Sequence, residues 1–386
     1  MNSPTPDGLR LRTYKYKLYP TKAQRQSMHE TTFLCSLIYN QCLAQRKDAW
    51  EKEQRSVTCY DQIKQLPQIK QSDERYKTVF SQVLQNTVKR VDKAYQNFFR
   101  RVKSGEKKAG YPRFKSARRY DSFTYPQSGF KLNGTKLSLS KIGDVKINLH
   151  RSIKGEIKTL TIRRQADGWF ACFSCEIEPN PLPSTDKEVG VDVGLENFAI
   201  TSDGEFFPPI KDLRKTEWKV KYFQREVSRR KKGSKRRKKS VWRLKRAHLR
   251  IANKRGDTHH KVARSLVNRY DLIAIENLTV NRMVKNHNLA KSISDAGWSN
   301  FANILVAKAE EAGRKIVKVD PKFTSQVCSM CGAVEKKELS QRWHSCECGC
   351  ELHRDVNAAI NILTKARKVL SGMGYIGVPE EPRSPF

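Results

Sequence analysis

Cys328-Ser-Met-Cys331-Gly332, Cys346-Glu-Cys348-Gly349-Cys350 and His353-Arg354-Asp355-Val356-Asn357-Ala358-Ala359 follow one another between Thr324 and Asn361. Fourteen residues separate Cys331 from Cys346, and two short Cys pairs at such a spacing form the pattern of a four-thiolate zinc knuckle. Each pair is followed by a glycine, Gly332 or Gly349, that can take positive φ and turn backbone amides toward the sulfurs. The second pair is Cys-x-Cys rather than Cys-x-x-Cys. Cys348 is the expected fourth ligand, beside Cys328, Cys331 and Cys346, because its following Gly repeats the Cys331-Gly332 pattern; Cys350 is the alternative. Disulfides or idle thiols are the competing reading. Past the knuckle, Asp355 heads a run (Val356, Ala359, Ile360, Leu363) spaced as a helix buried on one face. An Asp there either caps the helix or belongs to a site whose other members lie upstream.

The 386 residues suffice for two or three domains with cores of their own. Lys and Arg number 76 against 39 Asp and Glu, a formal net charge of +37. Self-repulsion on that scale calls for a polyanion, and nucleic acid is the usual one. No apolar run approaches the ~20 residues of a membrane-spanning helix, and no secretory signal opens the sequence, so no membrane partner is expected. Ten cysteines without such a signal point to reduced thiols and metal rather than a disulfide framework. The expectation is a soluble, cytoplasmic protein.

Leu11 to Leu18 sets Tyr14, Tyr16 and Leu18 against Lys15 and Lys17, a strand with one basic face, ended by Pro20. Thr21-Lys-Ala-Gln24 predicts a capping box and a helix to about Trp50, with Leu34, Leu37, Ile38 and Cys42 inward. A second helix is predicted over 78–102 on the stripe Phe80, Leu84, Val88, Val91, Tyr95, Phe98 and Val102. Its other face, with Lys89, Arg90, Lys93, Arg100 and Arg101, could follow a phosphate backbone. Cations surround Gly110-Tyr-Pro-Arg-Phe114, a mixture suited to phosphate contact and base stacking. Lys107, Lys108, Arg113, Lys115, Arg118 and Arg119 are therefore candidate nucleic-acid contacts, a solvated loop being the alternative. Strand patterns follow at 130–132 and 136–139 around Asn133-Gly134, then at 144–149, 157–164 and 169–177. With the first strand they predict a small antiparallel barrel interrupted by helices. A Pro-rich linker is expected at 179–186.

In the second half, Val189, Val191, Val193 and Leu195 alternate with Gly190, Asp192 and Gly194. A carboxylate between two glycines is expected on an open strand face, where an ion and a phosphodiester can approach the backbone; a buried, hydrogen-bonded Asp is the alternative. The region 214–255 reads as a long basic helix interrupted near Gly233. Nine of the eleven residues from Arg229 to Lys239 are cationic, so Arg229, Arg230, Lys231, Lys232, Lys235, Arg236, Arg237, Lys238 and Lys239 are candidate nucleic-acid contacts rather than merely solvated charge. The apolar strand Leu272-Ile-Ala-Ile-Glu276 ends on a carboxylate that needs a cationic partner. An Asp on a first strand, an acidic end on a later strand and an Asp on a final helix form the layout of an RNase H-like nuclease. Such carboxylates hold two Mg²⁺ or Mn²⁺ ions roughly 3.5–4 Å apart, and hard cations require oxygen donors.

Gly190-Val-Asp-Val-Gly194, Ile275-Glu-Asn-Leu278, the knuckle and Arg354-Asp-Val-Asn-Ala-Ala359 together resemble the TnpB proteins of bacterial insertion sequences. Tyr14 to Pro20, Ile38-Tyr-Asn40 and Gly110-Tyr-Pro-Arg-Phe114 resemble the N-terminal regions of that family. The resemblance implies a mixed α+β chain: an N-terminal antiparallel β-barrel (wedge) with an inserted helical recognition region, then an RNase H-like (RuvC) nuclease domain with an inserted four-Cys zinc knuckle. The implied boundaries are 1–20 for the first wedge strand, 21–105 for the recognition region and 106–180 for the rest of the wedge. The nuclease domain takes 181–322, with a basic helical stretch at 214–256, and resumes at 351–370; the target-binding knuckle takes 323–350 and a flexible tail 371–386. Asp192, Glu276 and Asp355 are then the catalytic carboxylates and Mg²⁺ or Mn²⁺ ligands, and Zn²⁺ is structural. The implied activity is RNA-guided cleavage of double-stranded DNA next to a short adjacent motif. The implied guide comes from the transposon end, with one protein per RNA or a dimer, in a bacterial cytoplasm and on the nucleoid when bound to DNA. A nuclease-dead repressor and a strand-transferring transposase are the alternatives. The intact Asp-Glu-Asp set argues against the first, and the family resemblance against the second.

Overall fold

The computed structural model describes residues 9–372, apart from 107, 210–211, 288, 337 and 339–340, with backbone alone at 212–215 and 281–282. The expected contact Lys107 and most of the expected tail lie outside the described residues. The chain forms two compact units, one ending at Glu178 and one starting at Pro179.

In the first unit β1 (Arg10–Tyr19) leads into α1 (Lys22–Glu53), and Thr21 and Gln24 form the expected capping box with bonds of 3.3 and 3.0 Å. Two short helices, α2 (Cys59–Lys64) and α3 (Leu66–Ser72), and a 3-10 turn (Glu74–Thr78) lead to α4 (Ser81–Lys103). α4 starts later than its stripe predicts, because Val79 and Phe80 are extended. Seven strands then close the unit: β1 with β2 (Ser122–Tyr125), β3 (Phe130–Asn133), β4 (Lys136–Leu139), β5 (Gly143–Asn148), β6 (Glu156–Gln165) and β7 (Gly168–Ile177). Their order is β2-β6-β7-β1-β5-β4-β3, every pair antiparallel. The two edges approach each other. Tyr125 Oη on β2 donates to the Ser140 carbonyl at 3.0 Å, and its ring meets Phe130 of β3 edge-on at 6.3 Å. The result is a nearly closed barrel whose core includes Tyr16, Phe123, Leu137 and Phe173, with Leu34 and Ile38 of α1 and Leu84 and Val88 of α4 packed on it. Arg90 does not face outward for phosphate. It donates to the Ser122 carbonyl and Thr124 Oγ1, both at 2.8 Å, and so fastens α4 to β2.

The second unit begins with a segment that is pinned rather than loose. Asn180 and Leu182 donate to the carbonyls of Glu311 and Ala312, and Arg314 bonds both the Pro183 carbonyl and Asp271. The elements that follow are β8 (Glu188–Asp192), β9 (Ala199–Thr201), β10 (Phe206–Phe207), α5 (Asp212–Arg229), α6 (Lys235–Arg269) and β11 (Leu272–Glu276). Then come α7 (Val280–Met283), α8 (Ala290–Ala296), α9 (Trp298–Glu311), β12 (Lys315–Val319), β13 (Trp343–Ser345), β14 (Glu351–His353) and α10 (Arg354–Leu370). A five-stranded sheet runs β10-β9-β8-β11-β12, with β10, β9 and β8 antiparallel and β8, β11 and β12 parallel. The basic stretch is two helices that break where Gly233 takes φ +92°, and the second continues to Arg269.

Strand alternation sends the two faces of this sheet into different layers. Val189, Val191, Ile273 and Ile275 pack under α6 and α9, with Leu266, Phe301 and Leu305. Leu272, Ala274, Val317 and Val319 pack against Ile362, Leu363 and Ala366 of α10. Gly190 belongs to this second face, which corrects its expected role. A Cβ on Gly190 would lie 1.9 Å from the Ala359 carbonyl oxygen, so the missing side chain seats α10 on β8 and does not open the strand to an ion or phosphodiester. Gly190→Ala is expected to lower unfolding stability by about 1–3 kcal/mol through overpacking. Gly256→Ala, at an open helical position in α6, should instead stabilise by roughly 0.5–1 kcal/mol. Denaturant unfolding of the two full-length variants compares them, and an unchanged midpoint for Gly190→Ala would refute the seating.

Candidate active site and metal centre

Asp192 ends β8 and Glu276 ends β11, two parallel neighbours in which Val191 pairs with Ile275. Continuing that register sets the two carboxylates side by side on adjacent strands, about 4.8 Å apart at the backbone. Both share the face covered by α10, Asp192 by alternation from Gly190 and Glu276 by alternation from Ala274. Asp192 lies two residues beyond Gly190, about 6.6 Å along the strand. Asp355 lies one turn, about 6 Å, before the Ala359 that touches Gly190. The helix therefore brings Asp355 over the strand end that carries Asp192.

The charges register this arrangement. Asp192 keeps a little exposure, yet burial, then the neighbouring charges of Glu276 and Asp355, push its carboxyl up to about 8. Burial also raises Glu276, against a 2.6 Å hydrogen bond from Thr324 Oγ1 and the charge of Lys365. Asp192 thus stands beside two further carboxylates that oppose its charge, and oxygen donors of this kind suit hard divalent cations. Asp355 is not the helix cap. His353 is, its Nδ1 accepting from the Asp355 amide at 3.2 Å, so the carboxylate is left to the site.

The segment into the knuckle is clamped to α10 by residues that periodicity does not single out. Asn361 Nδ2 donates to the carbonyls of Thr324 and Val327 at 2.9 and 2.7 Å. Asn357 donates to the Val327 carbonyl at 2.7 Å and accepts from the Ser329 amide at 2.9 Å. Thr324, Asn357 and Asn361 are all buried. Polar residues on the inner side of an otherwise apolar helix stripe were the available signal, since each must find a partner.

The sulfurs of Cys328, Cys331, Cys346 and Cys348 all lie within 4.8 Å of one another. Cys328 and Cys348 are 3.7 Å apart, and Cys331 and Cys346 3.6 Å. A tetrahedron with metal–sulfur arms of about 2.3 Å has edges of about 3.8 Å, so the four sulfurs fit one tetrahedral ion. Gly332 and Gly349 have φ +81° and +83°, as their turns require. Cys350 stands outside this set, turned toward His344 and Cys328.

Of the basic candidates, Lys108, Arg113, Arg118 and Arg119 are exposed on a loop that Asn40 holds through the backbone of Lys115, at 2.9 Å each way. The Lys115 ammonium rests 4.5 Å from the Tyr39 ring centroid. In the other group, Arg230 bonds Glu226 and the Arg236 carbonyl, and Arg237 bonds the Val227 carbonyl. These two shape the turn between α5 and α6. Arg229, Lys231, Lys232, Lys235, Arg236, Lys238 and Lys239 are exposed. On the same two helices Trp218, Tyr222 and Trp242 are exposed aromatics that charge counting misses.

The raised Asp192 makes the stability of the metal-free fold depend on pH. In the unfolded chain an Asp loses its proton near pH 3.9, whereas in the metal-free fold it does so near 8. Between those values the native state holds the extra proton, so this group costs stability as pH rises through the window. With chelator present, Asp192→Asn should unfold at a higher temperature than the parent at pH 8, the gap closing toward pH 4. A parent equally stable at pH 8 would contradict the assigned crowding.

Comparison with known proteins finds relatives along most of the chain. The family described as "Probable transposase" (OrfB_IS605) matches residues 172–287, "Cas12f1-like, TNB domain" matches 298–362, and "Helix-turn-helix domain" (HTH_OrfB_IS605) matches 10–55. The last covers β1 and the single long helix α1. A Streptomyces pristinaespiralis protein named "Putative RNA-guided DNA endonuclease" is 36% identical over 361 residues, 91% of this chain and 88% of that one. "Putative RNA-guided DNA endonuclease InsQ" of Escherichia coli K12 is 32% identical, covering 94% of each chain. Among solved structures, the fold is similar to that in a Cas12f1-sgRNA-target DNA complex, with TM-score 0.56 at 13% identity, covering 92% of this chain and 98% of that one. On relatives matched over nearly their whole length, this chain belongs to the TnpB (OrfB) family.

Proposed function

We propose that this chain is an RNA-guided DNA endonuclease of a bacterial insertion sequence, cutting double-stranded DNA next to a short adjacent motif. The observation that carries the reading is the convergence of Asp192 and Glu276, on one sheet face, with Asp355 of the helix that covers it. The near full-length relatives that bear the name of such an enzyme support it. Residues 1–20 and 106–180 are the wedge, 21–105 the recognition region, 181–322 and 351–370 a RuvC-type nuclease and 323–350 its knuckle.

Asp192, Glu276 and Asp355 hold two Mg²⁺ or Mn²⁺ ions, and Cys328, Cys331, Cys346 and Cys348 a structural Zn²⁺. Divalent ions at the carboxylates supply water activation and charge stabilisation of the leaving oxygen. The chain's own share is positional. β8 and β11 fix two carboxylates through parallel hydrogen bonding, and α10 fixes the third through its seat on Gly190. Thr324 orients Glu276 through its 2.6 Å hydrogen bond and ties that carboxylate to the entry of the knuckle. The exposed cations of 108–119 and 229–239 hold the guide RNA and target DNA by their phosphates, while base pairing supplies the sequence choice.

Exchanging the guide segment of the bound RNA tests this reading. Cutting should move to the newly matched DNA if the adjacent motif is kept. Asp192→Ala, Glu276→Ala and Asp355→Ala should each reduce cleavage by at least about a hundredfold, with nucleic-acid binding near that of the parent. RNA-free protein that cuts the same sites would replace the reading with a transposase or an unguided nuclease.

A further inference from the structure

His344 is 1% exposed, and neither Nδ1 nor Nε2 has a hydrogen-bond partner. A buried imidazole carries at least one N–H and, when neutral, one lone pair, and leaving both unpaired is costly. On β13 its neighbours Trp343 and Ser345 point outward and His344 points in. Across the hairpin it pairs with Leu352. Cys350, two residues before Leu352, falls on the same side by strand alternation and is 6% exposed. The third neighbour is Cys328, at 2% exposure. The donor atoms of Cys328, His344 and Cys350 lie within 4.8 Å of one another. Cys328 thus belongs to two donor groups at once, the tetrathiolate set and this buried trio.

We propose that Cys328, His344 and Cys350 form a second thiophilic metal site, in which the Cys328 sulfur bridges to the tetrathiolate ion and the knuckle binds two zinc ions. The proposal rests on the tetrathiolate reading of the knuckle. Thiolate and imidazole are the donors zinc prefers, and donors on one zinc stand about 3.5–3.8 Å apart, so the trio closes by an ångström or so on binding. Charge favours the second ion as well. One divalent ion with four thiolates carries two net negative charges, and a second divalent ion arriving with one further thiolate and a neutral imidazole halves that excess. The ring nitrogen that does not bind the ion keeps its proton.

The test is a zinc count on the full chain, purified under reducing, oxygen-free conditions with zinc as the only added metal and free metal removed. Two zinc ions per chain are expected in the parent, and one in His344→Phe and in Cys350→Ala. Cys331→Ser, in the tetrathiolate set, should weaken the other ion. X-ray absorption on the parent supplies a readout that no folding defect in a variant can imitate. With a water as the second ion's fourth donor, the proposal requires an average of about three sulfurs and one nitrogen or oxygen per zinc, with imidazole scattering. A parent holding one zinc, or an all-sulfur shell without imidazole, overturns the second site and leaves the tetrathiolate reading intact. A parent holding no zinc overturns both.

Discussion

The contact between Gly190 and the backbone of α10 sets the rest of the second unit. A strand residue with any side chain would drive the helix off the sheet at Ala359, since an added Cβ would sit 1.9 Å from that carbonyl. With the gap closed, Ile362, Leu363 and Ala366 reach Leu272, Ala274, Val317 and Val319, and the sheet gains its second apolar cover. The same approach carries Asp355 to the end of β8. A helix held farther away would bury less surface and leave Asp192 and Glu276 without their third member. Packing and chemistry share one constraint here.

That constraint stores an electrostatic cost at the site. Glu276 and Asp355 crowd a buried Asp192, which responds by holding its proton to about pH 8. Partial relief comes from the chain itself, through Thr324 and Lys365 at Glu276. Such crowding of like charges is common where cations are to be held. Hydrogen bonding then extends outward from α10. Asn357 and Asn361 grip the segment that enters the knuckle, and Arg354 holds the carbonyls of Glu338 and Gln341 near its return. The knuckle and the acidic site are therefore mechanically continuous through one helix.

The basic residues divide by task. Arg90, Arg230, Arg237 and Arg314 are spent on carbonyls, carboxylates and hydroxyls that join elements. Guanidinium suits this role because its planar fork can satisfy several acceptors at once. The five lysines in 229–239 all stay exposed instead, as compact, well-hydrated charges on flexible stems. A charge count alone therefore overstates the cations free to meet a polyanion.

The sequence by itself determined what rests on local chemistry. The capping box at Thr21, the hairpin at Asn133-Gly134, the strand faces of 188–192 and 272–276 and the four-sulfur grouping all follow from spacing and side-chain type. Local signals failed where the deciding partner is distant in the chain. Gly190 seemed to open a strand to an ion, and only its contact with residue 359 reveals a helix seat. Arg90 seemed free for phosphate, and only the return of β2 gives it acceptors. Asp355 could have been a cap until His353 took that place. Asn357 and Asn361 carried a faint signal as polar residues in a buried stripe, but their acceptors lie thirty or more residues upstream. Periodicity reports which face is buried, whereas tertiary structure alone decides which backbone or charge lies against it, because that depends on how distant segments fill the same space.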